Sequence, residues 1–156
     1  MWGIVVKTLL TGTFSRSLDQ KLRIAIPKRL RAAMAEGTGE SFYVAPGTDE
    51  SLSLYTAEAF GQLAKRLADV SPTRKDVRTF ARLFYSQAQQ VELDSQGRIR
   101  VPRELADLAG LEKEVMLLGV QDHVELWAAD RWRDYLAQNQ PHYDDIAEAT
   151  FGAERQ

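Results

Sequence analysis

The chain has 156 residues, 44% hydrophobic and 27% charged, the composition of a folded globular protein rather than a disordered one. Twenty Lys and Arg against 22 Asp and Glu leave a net charge of −2, which excludes nucleic-acid binding through bulk charge alone but not through a local basic patch. With no cysteine, a disulfide framework, a thiolate nucleophile and a Cys-based metal centre are excluded, and the cytosol is the default expectation.

Residues 1–10 are apolar but too short to span a bilayer, and they lack the basic start and small-residue cleavage site of a signal peptide. They read as an extension able to pack as a strand. A strand over 13–18, a turn over 19–22 and a strand over 23–26 follow, with Ile24 and Ile26 on one face. Pro27 sits where a helix starts, a position that tolerates a missing N–H. A hairpin is predicted at 42–45 and 52–55, across a loop with Pro46, Gly47, Thr48 and Asp49. Helix 57–68 carries Phe60, Leu63, Ala64 and Leu67 at helical spacing, and Asp69 to Pro72 break it. Helix 73–88 sets Val77, Phe80, Ala81 and Phe84 on one stripe. Its opposite side carries Arg74, Lys75, Arg78 and Arg82, either a solvated face or a contact for DNA or a partner.

The pattern then recurs. A strand over 88–93, a turn over 94–97 and a strand over 98–101 lead through Pro102 to a helix over 103–109, closed by Gly110. A hairpin over 115–120 and 124–127 turns around Gln121, Asp122 and His123, and a helix over 129–139 stops near Pro141. From His142 the tail has four acids, one Arg and few apolar residues, and reads as mobile.

The recurrence is a duplication. Residues 18–27 (LDQKLRIAIP) match residues 93–102 (LDSQGRIRVP) at an offset of 75, and Leu52-Ser53-Leu54-Tyr55 matches Val124-Glu125-Leu126-Trp127 at an offset of 72. The first copy therefore carries a hairpin three residues longer. One copy holds four short strands and cannot close a core alone, so a pseudo-two-fold module of interleaved hairpins is expected.

Charge is polarised along the chain. Residues 16–31 have a net charge of +5 and residues 104–134 a net charge of −5. Within the basic stretch Asp19 precedes Arg23 by four residues, and Asp94 precedes Arg98 in the same way. An aspartate across a tight turn can hold a guanidinium at a fixed angle, and an arginine so aimed suits phosphate or guanine O6/N7. The same pairs can equally be ion pairs that only fasten the turns. Spacing alone leaves both open.

Nothing catalytic is legible. Phosphate-loop, dinucleotide, zinc-protease and nucleophile-elbow motifs are absent. His123, in the hairpin turn, and His142, in the tail, read as solvated polar residues without a second ligand at metal spacing. Trp127 and Trp132 read as core.

These residues resemble the MraZ family of bacterial transcriptional regulators over residues 11–135. The most specific parts are Gly12-Thr13-Phe14 leading to Leu18-Asp19, the two Asp-x-x-x-Arg motifs with their prolines, the stretch Leu111 to Gly119 and Val124-Glu125-Leu126-Trp127. The resemblance implies an α+β fold of two tandem swapped-hairpin, double-psi-type β-domains with short helices, shared with the AbrB and SpoVT regulators, here over residues 13–59 and 88–131. It implies a ring-shaped homo-oligomer that binds direct repeats in double-stranded promoter DNA upstream of its own division and cell-wall operon, acting as a repressor. The implied place is the cytoplasm, at the nucleoid, with no membrane, cofactor, metal or catalysis.

Carried over residue by residue, the family motif falls on Asp19, Arg23, Asp94 and Arg98. The implied DNA contacts are Arg23 and Arg98 with the adjacent Lys21 and Arg100, and Arg16. Leu22 stands where the family usually has Gly, which puts the geometry of that turn in question, and residues 1–9 carry no transferred role. In a ring, each subunit need offer only a few cations to successive repeats. The alternative reading is a structural or protein-interaction ring module in which the Asp–Arg pairs only fasten turns.

Overall fold

Alternating apolar residues, prolines at helix starts and turn residues between them divide the described residues into eight short strands and six helices. The computed structural model describes residues 9–35 and 41–152. In chain order they form β1 (Thr13–Ser17), β2 (Arg23–Ala25), α1 (Lys28–Met34), β3 (Ser41–Pro46), β4 (Leu52–Thr56), α2 (Ala57–Ala68) and α3 (Lys75–Gln87). The second repeat gives β5 (Gln89–Glu92), β6 (Arg98–Arg100), α4 (Arg103–Leu108), β7 (Glu114–Val120), β8 (His123–Ala128), α5 (Ala129–Asn139), a 3-10 turn (Gln140–His142) and α6 (Tyr143–Gly152). Most of the predicted extension, residues 1–8, and the far end of the predicted tail, residues 153–156, lie outside the described residues; Leu10 bridges to Gln121.

The two repeats interleave. Six strands form one antiparallel sheet in the order β1-β7-β8-β4-β3-β5, and β2 and β6 form a separate two-stranded ribbon. Every strand of the first repeat lies beside one of the second: β1 on β7, β2 on β6, β3 on β5 and β4 on β8. The expected interleaved hairpins are therefore present, and the core belongs to neither repeat alone. Equivalent side chains fill it in pairs: Ile24 with Ile99, Leu30 with Leu105, Leu54 with Leu126. Full burial of a side chain of this size stabilises the fold by about 1.5–3 kcal/mol.

The length difference between the repeats is also where the sequence places it. Five residues join β3 to β4 and two join β7 to β8. The longer loop is held by Gly47 N–H donating to the Ser51 carbonyl and Ser51 Oγ donating to the Thr48 carbonyl. At the start of α2 the Thr56 hydroxyl accepts from the Ala59 N–H, an N-cap.

Four local features go beyond or against the sequence expectations. Within the tail beyond His142, Tyr143–Gly152 is helical, an element the sequence reading did not include. Of the stripe on α3 only Phe84 is buried, and Phe80 is 48% exposed. Trp132 is half-buried, packed edge-on to Trp127 and stacked on Tyr135, while Trp127 itself is core. His123 is the first residue of β8, paired with Val120, and not part of the turn. The turn shrinks to Gln121 and Asp122 because Gln121 takes a left-handed φ of 63°, the conformation a two-residue hairpin requires.

Candidate nucleic-acid interface

The β2–β6 ribbon is three residues wide on each strand. Arg23 faces Arg100, Ile24 faces Ile99, and Ala25 faces Arg98. Side chains alternate along a strand, so the isoleucines turn inward and are buried, while Arg23, Ala25, Arg98 and Arg100 share the outer face. Three cations thus share a small surface whose backbone is fastened to the core by the two isoleucines.

Each Asp turn positions its arginine through the same bonds. Asp19 Oδ1 accepts from the backbone N–H groups of Lys21 at 2.9 Å and Arg23 at 2.8 Å, and Oδ2 accepts from Arg23 Nε at 2.8 Å. Asp94 Oδ1 accepts from the N–H groups of Gln96 at 2.8 Å and Arg98 at 3.0 Å, and Oδ2 accepts from Arg98 Nε at 2.8 Å. The carboxylate is therefore a turn fastener and an arginine anchor at once. The backbone N–H of Arg23, outweighing an opposing effect of burial, holds the Asp19 carboxyl below its ordinary value, helped by the Arg23 side chain and the Lys21 N–H. The Arg98 N–H does the same for Asp94, helped by the Gln96 N–H. Both stay ionised as anchors. Among the described residues neither guanidinium spends its Nη groups on a further hydrogen bond, so these remain available to a ligand.

Leu22 does not change the turn. Its φ is 61°, against 75° for Gly97 at the equivalent position, and each turn closes with the same hydrogen bonds, Leu22 to Asp19 and Gly97 to Asp94. Each turn also crosses to the other repeat: Val101 N–H donates to the Leu22 carbonyl and Ile26 N–H to the Gly97 carbonyl. What differs is the neighbour. The Arg31 guanidinium lies over Gly97, where a Cβ would come within 2.7 Å of its Cζ. Arg31 itself donates from Nε to the Ile26 carbonyl. The equivalent residue on α4 is Ala106, which is buried.

The other predicted residues divide. Lys21 and Arg100 come together, lining a shallow depression with Leu22, Val101, Pro102 and Arg103. Arg103 was missed by sequence reasoning, although its position directly after Arg100-Val101-Pro102 is the signal that it continues the same surface. Arg16 is not on the ribbon. It lies on β1 opposite Val115, donates to the Ser15 carbonyl and sits 5.9 Å from the Phe14 ring centre.

A second polar cluster surrounds His123. Its Nδ1 lies 2.9 Å from Asp122 Oδ1 and its Nε2 lies 3.0 Å from Glu125 Oε2, while Trp127 Nε1 donates to Glu125 Oε1. The Tyr55 ring covers it at 5.3 Å. Burial opposes the imidazolium, but the Glu125 and Asp122 carboxylates outweigh it and raise the pKa above the ordinary 6.5. The solvated histidine expected from sequence is instead an ion-paired one. Among the described residues no group of three metal-ligating side chains converges, and no helix is long and apolar enough to cross a membrane.

The family model described as "MraZ protein, putative antitoxin-like" matches twice, over residues 9–83 and 84–153. The chain belongs to the MraZ family. The "Transcriptional regulator MraZ" of Lactiplantibacillus plantarum is 39% identical over 137 residues, covering 88% of this chain and 94% of that MraZ protein. The proteins of the same name from Alkaliphilus oremlandii and Acetivibrio thermocellus are 40% and 39% identical, covering 87% and 88% of this chain and 92% and 93% of their own. The solution structure of PHS018 from Pyrococcus horikoshii superposes with a TM-score of 0.35 at 12% identity, over 74% of this chain and 96% of that one.

Proposed function

We propose that the chain is a sequence-specific DNA-binding transcriptional regulator that contacts DNA with the outer face of the β2–β6 ribbon. The observation that carries this reading is the pair of aspartate-anchored guanidiniums, Arg23 and Arg98, one on each strand of the ribbon. A guanidinium held by its Nε edge needs little further ordering to meet a base edge or phosphate. Lys21, Arg100 and Arg103 border it and suit phosphate contacts that set the register. The name shared by the relatives agrees with this assignment.

In its fuller form the proposal has the two repeats, 13–59 and 88–131, forming one reading unit. Several copies, assembled as a ring, engage direct repeats upstream of the chain's own division and cell-wall operon and repress it, in the cytoplasm at the nucleoid. Arg16, on its separate strand, is the least central of the proposed contacts.

The test is a titration of the purified chain into labelled DNA from upstream of its own gene, beside a scrambled control, at two salt concentrations. Preference for the upstream DNA is expected, with a salt slope of about 0.9 per phosphate contacted. The double variant Arg23→Ala with Arg98→Ala should keep the fold by circular dichroism and lose roughly a hundredfold or more in affinity. Equal affinity for upstream and scrambled DNA at both salts would overturn the reading.

A further inference from the structure

The depression beside the first Asp turn is ringed by positive charge that the described residues leave unanswered. Lys21, Arg100 and Arg103 line it with Leu22, Val101 and Pro102, around about 530 Å³ of open space, and no Asp or Glu lines it. Among the described residues the side chains of these three cations form no ion pair and no hydrogen bond. The equivalent place on the second repeat is filled. There Arg31 Nε donates to the Ile26 carbonyl and its guanidinium lies over Gly97, and those two residues are the counterparts of Val101 and Leu22. On α4 the counterpart of Arg31 is Ala106, whose side chain ends at Cβ, so the depression stays open.

Three uncompensated cations around a concave surface suit a small phosphate-bearing anion. The three are not alike in chemistry. A guanidinium stays charged and holds; an amine on a four-carbon stem can give up its proton and act as a nucleophile. Lys21 is exposed, and Asp19 Oδ1 accepts its backbone N–H at 2.9 Å, so the turn that carries the stem is fixed. Lys28, Lys65, Lys75 and Lys113 are exposed too, so exposure does not single out Lys21. Its neighbours do. Lys113, by contrast, lines a depression with Glu112, Glu114 and Asp130.

We propose that the depression beside Leu22 binds a small acyl phosphate and that Lys21 Nζ accepts the acyl group. Arg100 and Arg103 hold the phosphate. The unprotonated Nζ attacks the acyl carbon. A C–N bond forms, the bond from that carbon to the phosphate oxygen breaks, and its electron pair leaves with inorganic phosphate. The proton lost by Nζ goes to water. The two guanidiniums face the oxygen on which charge develops as the phosphate departs. The amide that remains is uncharged, so the surface bordering the ribbon loses one cation. That consequence rests on the proposed DNA contact, whereas the acyl transfer does not.

Acetyl phosphate is the probe, and mass spectrometry of the digested full chain reads acetylation lysine by lysine. Lys21 should be acetylated about tenfold faster than Lys65 or Lys113. Inorganic pyrophosphate should slow Lys21 selectively. Arg100→Gln with Arg103→Gln should bring Lys21 down to the rate of the others; both positions are exposed, and circular dichroism checks the fold. A wild-type Lys21 rate no greater than that of Lys65 and Lys113 would overturn the proposal. An unchanged Lys21 rate in the double variant would overturn the arginines as the phosphate seat. Lys21→Gln, which removes the same charge, should bind the upstream DNA about three- to tenfold more weakly, with a salt slope lower by about 0.9. Unaltered affinity in Lys21→Gln would overturn the consequence for DNA. Selective acetylation of a wild type that shows no preference for the upstream DNA would uphold the transfer and overturn the DNA reading.

Discussion

The two Asp turns have the same hydrogen bonds but different neighbours. In the first, Leu22 occupies the left-handed position and the residue equivalent to Arg31 is the small Ala106. In the second, Gly97 occupies that position and the Arg31 guanidinium lies over it. Bulk in the turn and bulk on the facing helix therefore exchange between the repeats while Asp19 and Asp94 keep their bonds. The comparison teaches that the aspartate and its two backbone partners determine the turn, and that glycine is one of two ways to leave room beside it.

The largest expected effect concerns the outer face of the ribbon, where the repeats are unequal. Arg23 has Arg100 across the ribbon, whereas Arg98 has Ala25. Arg98→Ala alone leaves the cross-strand position pair it forms with Ala25 without a cation and should weaken binding to the upstream DNA by about ten- to a hundredfold. Arg23→Ala, with Arg100 still opposite, should cost less. Equal losses in titration would show that the two ends act alike.

Beneath that face the repeats are matched. Ile24→Ala and Ile99→Ala each delete a buried side chain at the same place on the pseudo-two-fold. Each should lower stability by about 2–5 kcal/mol in urea denaturation, with nearly the same value for both. A large inequality would mean that the shared core is less symmetric than its side chains.

The turns can be interconverted. Gly97→Leu adds a left-handed side chain and drives it into Arg31, and should destabilise by about 1–3 kcal/mol. Combined with Arg31→Ala it recreates the pairing of the first turn, and the double variant should lose less than the sum of the two single changes. Simple additivity in the cycle would break the comparison.

The smallest effect separates the hairpin tips. His123 has a pKa raised above 6.5, so its contribution is complete below that value and is lost as pH rises through the folded-state pKa. Its hydrogen bond holds Glu125 below its ordinary 4.5, a contribution lost as pH falls through that group's lowered pKa. The pair therefore supports β8 best between about pH 4.5 and 6.5. In urea titrations His123→Ala should remove the decline above pH 6.5, and a wild type without that decline would contradict the ion-paired histidine.

Much of this fold was legible because the duplication writes each element twice. Two prolines after two Arg-Ile pairs give the strand-to-helix junctions, and Gly110, with φ 61°, is the helix stop it was expected to be. Pairing across repeats was legible only as an expectation, because strand partners are set by packing that no local pattern contains. His123 was misplaced because nothing in Gln121-Asp122-His123 announces a left-handed glutamine. Helix α6 was overlooked because its apolar residues, Tyr143, Ile146 and Phe151, are interspersed with acids, and a local count of charges outweighed their spacing. Of the candidate site, the arginines and their aspartates could be named from spacing; their sharing of one face could not, since it follows from β2 pairing with β6.

Fusion of the two repeats into one chain also has a directional consequence. Two identical chains meeting at this ribbon would present the same face when rotated by half a turn, and would favour a palindromic target. Here Ala25 and Arg100 occupy equivalent places, so the ribbon has a heavily charged end and a lightly charged end. A molecule laid across it meets a surface with a head and a tail, and reversing that molecule changes the energy of contact. Covalent duplication has thus turned a symmetric cradle into one with polarity.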